Sequence, residues 1–225
     1  MGKNLVGPCF RARAQRKTTA APRGAHFAAS ALLALGAWLT GCASDPMTLE
    51  PTVYVDEAFS ATEAAHVEAG LDNWESAVPQ VSFTRRTMSH DALRHVSPEA
   101  NAIYIVRNTH AEDSDCPGIE HGHHGMDDDQ CGITVEEDER TRGIICLNAV
   151  WLNDHQSSRE EQGIDGWKST VVHEVGHAFH LAHDQAAPSV MMPVYWWQDD
   201  QLTCEDVKQV SLMWGIAMPK NCVKI

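Results

Sequence analysis

Hydrophobic and polar positions alternate or recur along this chain in a way that predicts short strands around two amphipathic helices. Thr52-Val53-Tyr54-Val55 alternates with period two and reads as a first strand. Residues 60–78 follow a helical period, opened by Ser60 with Glu63 three positions on, the pairing of a capping box. Val81–Thr84, Ala102–Val106 and Ile144–Leu147 are short and β-rich and predict further strands. A second helix runs through residues 171–179, where Val171, Val172, Val175, Ala178 and Phe179 share the arc opposite His173 and His177. Asp165 or Ser169 can cap its start. One more helix follows. The expected fold is α+β, a twisted mixed sheet with helices packed on it and a cleft along its edge.

The amino terminus has a different pattern. Residues 1–26 carry Lys3, Arg11, Arg13, Arg16, Lys17 and Arg23 and no acid, and residues 27–39 form an apolar run too short for a typical membrane span. This reads as a signal peptide over 1–41. Leu39-Thr40-Gly41-Cys42 resembles a bacterial lipobox, which implies cleavage before Cys42 and acylation of that cysteine. The alternative is an ordinary secreted protein cut near Ala43. Residues 42–50 are then a short tether and 51–225 one domain. The expected location is the cell envelope, lipid-anchored and facing periplasm or exterior, with the outer membrane favoured because no acid directly follows Cys42. Removing the signal deepens a net charge that is already −14, which argues against nucleic-acid partners. A monomer is expected.

In an oxidising compartment the mature cysteines invite pairing. Cys116 with Cys131 and Cys204 with Cys222 are the expected bridges, leaving Cys146 as a buried thiol in its strand; Cys131 with Cys146 stays open. Between His110 and Cys131 lie His110, Glu112, Asp113, Asp115, Glu120, His121, His123, His124, Asp127, Asp128 and Asp129. This is either a solvated acidic loop or a holder of structural zinc or calcium.

The chemistry concentrates in His173-Glu174-Val175-Gly176-His177-Ala178-Phe179-His180-Leu181-Ala182-His183. Histidines four apart lie one turn apart on one helix face, so both rings can reach one metal ion. A third ligand is available from His180 or His183. Seven residues of straight helix span about 10 Å, whereas two donors on one tetrahedral zinc lie only about 3.3 Å apart. A chain reversal near 180 that returns His183 to the metal is therefore the expected solution.

The spacing H-E-x-x-H-x-x-x-x-x-H resembles the metzincin metallopeptidases. Ser189-Val190-Met191-Met192-Pro193-Val194-Tyr195 is similar to their Met-turn followed by the Pro-x-Tyr wall of the matrix metalloproteinase branch. Residues 71–83 and 202–215 resemble that branch's first and last helices, so the likeness spans most of 51–215. It implies a zincin-like catalytic domain with a long first helix, an active-site helix and a C-terminal helix. It further implies a catalytic zinc on His173, His177 and His183, Met191 as a packing floor, and Pro193 and Tyr195 lining the pocket for the residue after the scissile bond. His180 stands where the family has glycine, a position that needs positive φ; histidine can adopt it at modest cost.

The expected activity is hydrolysis of peptide or protein substrates by zinc-activated water, with Glu174 as general base. No propeptide fits between Cys42 and the first strand, so no zymogen cleavage is expected. A different reading keeps the fold and discards turnover, giving a metal-binding or adhesion surface lipoprotein; His180 and the His/Asp-rich loop motivate it.

Overall fold

The computed structural model describes residues 49–97, 99, 101–109, 116, 131–135, 143–184, 189–193 and 200–222. Cys42, Tyr195 and, apart from Cys116 and Cys131, the loop from His110 to Cys131 lie outside them. Strands β1 (Thr52–Asp56), β2 (Thr84–Met88), β3 (Ala102–Asn108), β4 (Gly132–Val135) and β5 (Gly143–Asn148) form one sheet in the order β2-β1-β3-β5-β4. β4 alone runs antiparallel, against β5, with Thr134 opposite Ile145. The helices are α1 (Ala61–Ala77), α2 (His90–Arg94), α3 (Ala149–Glu160), α4 (Gly166–Ala178) and α5 (Cys204–Trp214).

Because side chains alternate across a strand, the sheet has two apolar faces. Val53, Val55, Ile103, Ile105, Ile145 and Leu147 join Trp74, Val171, Val175 and Phe179 in the main core, against α1 and α4. Tyr104, Val106, Ile144 and Cys146 face the other way, toward Leu93 of α2. The separation into two cores corrects the cysteine expectation. Cys116 bonds to Cys146 on the α2 face, whereas Cys131 is buried in the main core on the opposite side. A Cys116–Cys131 or Cys131–Cys146 bridge would have to join side chains held in different cores. Cys204–Cys222 forms as expected, tying α5 to a 3-10 turn at Lys220–Cys222.

Three other readings shift. Val81 makes only an isolated bridge to Leu49, and the strand begins at Thr84. Its sequence, Thr-Arg-Arg-Thr-Met, has no apolar alternation because β2 is a sheet edge, where Arg85 is held by Glu68, Asp72 and Glu75 of α1. β4 and α3 were not expected. α3 offers only Ala149, Leu152 and Arg159 as buried positions, too few to write a helical stripe. It braces α4 instead through polar contacts: the Gln156 side-chain oxygen accepts from the Trp167 backbone N–H, and the Trp167 indole donates to Asn153.

The capping box at α1 is present, with Ser60 accepting from Glu63 N–H and Glu63 from Ser60 N–H. The Glu63 carboxylate also receives Arg107 of β3 and Asn153 of α3. Burial by itself would raise this carboxyl, but the Arg107 guanidinium, with Ser60 and Asn153, outweighs it and holds the pKa at about 2. The group therefore stabilises the fold above the unfolded value of 4.5, and the contribution is lost as pH falls from there through about 2. We expect Glu63→Gln to cost roughly 2 kcal/mol at neutral pH, because the half-buried Arg107 loses its ionic partner. In denaturant titrations that deficit should vanish over the same acid range.

α1 and α4 approach closely at Gly70, where an added Cβ would lie 2.5 Å from Val171 Cγ1 and 2.7 Å from its Cβ. Alanine normally strengthens a helix interior by up to about 1 kcal/mol relative to glycine. Here the clash falls on a β-branched core side chain that cannot swing away, so Gly70→Ala should instead destabilise by about 1–3 kcal/mol in thermal unfolding.

Candidate metal centre

α4 starts at Asp165, whose side chain accepts from Lys168 N–H; Ser169 lies inside the helix and bonds to the Gly166 carbonyl. All thirteen residues of α4 are buried except Lys168, so no side of it is open as the amphipathic pattern suggested. Glu174 meets β4, and His173 meets the Ser189–Pro193 segment.

The helix stops at Phe179, and His180 takes φ 64°, the left-handed conformation. Leu181 N–H then bonds back to the Gly176 carbonyl, which closes the reversal. The His180 ring stacks against Trp214 of α5, and the Trp214 indole donates to the Phe179 carbonyl. These contacts offset the cost of a non-glycine residue at that position. The reversal delivers His183 to the first two histidines: its Nε2 lies 3.2 Å from that of His177, which lies 3.0 Å from that of His173. One ligand atom from each ring falls within 4.8 Å of the others, whereas His180 stays outside the cluster.

The tautomers are fixed by what the other nitrogens touch. His173 Nδ1–H donates to the Val190 carbonyl at 2.6 Å and His177 Nδ1–H to the Leu181 carbonyl at 2.8 Å, and a carbonyl can only accept. Their Nε2 atoms therefore present lone pairs to one another at 3.0 Å, which repel unless a cation lies among them. The separations are close to the roughly 3.3 Å expected between donors on a tetrahedral zinc. Burial, and then the neighbouring rings, lower the His173 pKa well below its ordinary value and take His183 to about 4. Both rings are neutral at pH 7, the form that binds metal. The donor set fits zinc.

Glu174, next in the chain to His173, is fully buried. Its Oε2 lies 2.5 Å from the Thr134 hydroxyl of β4, while its Oε1 has no hydrogen-bond partner. Burial pushes this carboxyl up to about 8, against the hydrogen bond from Thr134. Positive charge gathered by the three rings acts the other way and favours the carboxylate.

Met191 is fully buried against Gly176, between the two helical histidines; a Cβ on Gly176 would overlap its sulfur. The segment that carries it is pinned to α5 by Asp206. That buried carboxylate accepts from the Ser189 hydroxyl, Val190 N–H, Thr203 N–H and the Thr203 hydroxyl. Asp184 N–H closes the other side on the Met191 carbonyl. Pro193 follows, half-buried.

A family model described as Matrixin matches residues 52–215. The chain belongs to the matrixin family. Its mixed sheet and helices are a metzincin-type, zincin-like fold, and the family implies zinc. Archaemetzincin from Methanopyrus kandleri is a similar solved structure, at 13% identity and TM-score 0.48, covering 76% of this chain and 99% of that one. No curated protein matches the sequence.

Thr134 and Asp206 were not singled out from sequence. Asp206 was legible in principle, since Thr203 and Asp206 have capping-box spacing and the box forms. Thr134 carried no signal, because its partner is forty residues away. Asp206 orients the carbonyl that holds His173, so Asp206→Ala should lower zinc affinity by about 10- to 100-fold. Competition with a chromophoric chelator measures this, and Asp206→Asn should recover part of the loss.

Proposed function

We propose that this protein is a zinc-dependent endopeptidase with Glu174 as its general base. The observation that carries the reading is the convergence of three imidazole nitrogens, with the buried Glu174 next in the chain to the first of them and its Oε1 unengaged. His173, His177 and His183 hold the ion, which when bound supplies a Lewis acid that polarises the scissile carbonyl and acidifies the attacking water. Glu174 takes the water's proton on Oε1 and passes it to the departing amine nitrogen. Burial makes the carboxylate a stronger base, and positive charge held by the three rings would keep it ionised to accept the proton. Met191 keeps the ligand helix packed from below, and Pro193 and Tyr195 line the pocket for the residue after the scissile bond. Cys42, acylated, holds the enzyme at the envelope, with extended peptide or protein segments as substrates.

The reading without turnover drew on His180 in place of glycine. His180 occupies the left-handed turn and leaves His183 beside the other rings, so it lends that alternative no support.

Glu174→Gln should lower kcat by roughly 10²–10⁴-fold on a mixed peptide library, with zinc retained by elemental analysis. His183→Ala should lose the metal, and a chelator should silence the unmodified protein. Cleavage by Glu174→Gln at the unmodified rate would refute the base assignment, and chelator-insensitive cleavage would refute the metal.

A further inference from the structure

We propose that Thr134 is a positioning residue: its hydroxyl fixes one oxygen of Glu174 so that the other is the sole proton acceptor of the site. The inference rests on the endopeptidase reading and deepens it. Thr134 Oγ1 lies 2.5 Å from Glu174 Oε2 and 3.0 Å from the Glu174 carbonyl oxygen. The hydroxyl is thereby located by the helix backbone as well as by the carboxylate it holds. Glu174 is fully buried, and a buried carboxyl with a free torsion could otherwise present either oxygen, or neither, to the reacting water.

The rest of β4 shows that this contact is selective for one oxygen. Ile133 and Val135 face the second core, so Gly132 and Thr134 are the positions of the strand turned toward α4. At Gly132 a Cβ would come within 3.0 Å of Glu174 Oε1 and 3.0 Å of Thr170 Cγ2. The same strand therefore binds Oε2 through one residue and clears space around Oε1 through the other. Oε1, with no hydrogen-bond partner, is the oxygen left for chemistry. A side chain present only for packing at position 134 would have no need of a hydroxyl.

The test compares Thr134→Val, which keeps the β-branched shape and removes the hydroxyl, with Thr134→Ser, which keeps the hydroxyl and removes the methyl. Thr134→Val should lower kcat about tenfold, the effect of one hydrogen bond to a charged group, with KM and zinc content unchanged. Thr134→Ser should recover most of the rate. A second readout is independent of turnover: infrared difference spectra of the metal-free protein, taken against Glu174→Gln, report the Glu174 carboxyl band. That band should shift in Thr134→Val and stay in place in Thr134→Ser. Unmodified kcat and an unmoved band in Thr134→Val would overturn the proposal, as would equal loss in the two variants, which would mark a packing role. If the unmodified protein cleaves no peptide, the endopeptidase reading fails, while the carboxyl band still decides whether Thr134 orients Glu174.

Discussion

Three ring nitrogens gathered within 4.8 Å of one another, two of them turning lone pairs inward, form an arrangement that the protein must enforce. His173 and His177 turn their Nε2 lone pairs inward because their Nδ1–H groups are committed to the carbonyls of Val190 and Leu181. Those carbonyls belong to two separate chain reversals, the Met191 segment and the turn at His180. The cluster therefore exists only if both reversals are held where they are, and much of the surrounding structure does that. A site built this way keeps its rings neutral and oriented before any ion arrives, which lowers the reorganisation needed on binding.

Carboxylates tie together the elements around these reversals. Asp206 at the start of α5 gathers Ser189, Val190 and Thr203, and Asp165 caps α4. Glu63 joins the first turn of α1 to β3 and α3. Each carboxylate is matched to donors from a different element, so its burial cost is offset only in the assembled fold. Apolar contact sets the distances between layers, as at Gly70 against Val171 and Gly176 against Met191. The charged ties then set the register of the loops on which the histidines and Glu174 depend.

The legible parts of the sequence are those whose partners lie within about a turn of helix or along one strand. The capping box at Ser60 and Glu63, the i and i+4 histidines, and the apolar runs of β3 and β5 are of this kind. The reversal at 180 was also legible, because a straight helix cannot bring a third ring to the same point. β2 and α3 were obscured because neither buries a regular stripe: one is a polar edge held by α1, the other a polar brace for α4.

The sequence by itself thus determined which residues could share a metal and that the chain must turn to let them, since helical geometry and ligand reach leave little choice. Only the tertiary structure decided which face of the sheet each cysteine occupies, and so that Cys116 meets Cys146. It alone placed Thr134 on Glu174 and Asp206 on the Met191 segment. Contacts between residues far apart in the chain follow from strand order and register, which depend on how all the elements pack at once and leave no local period to read.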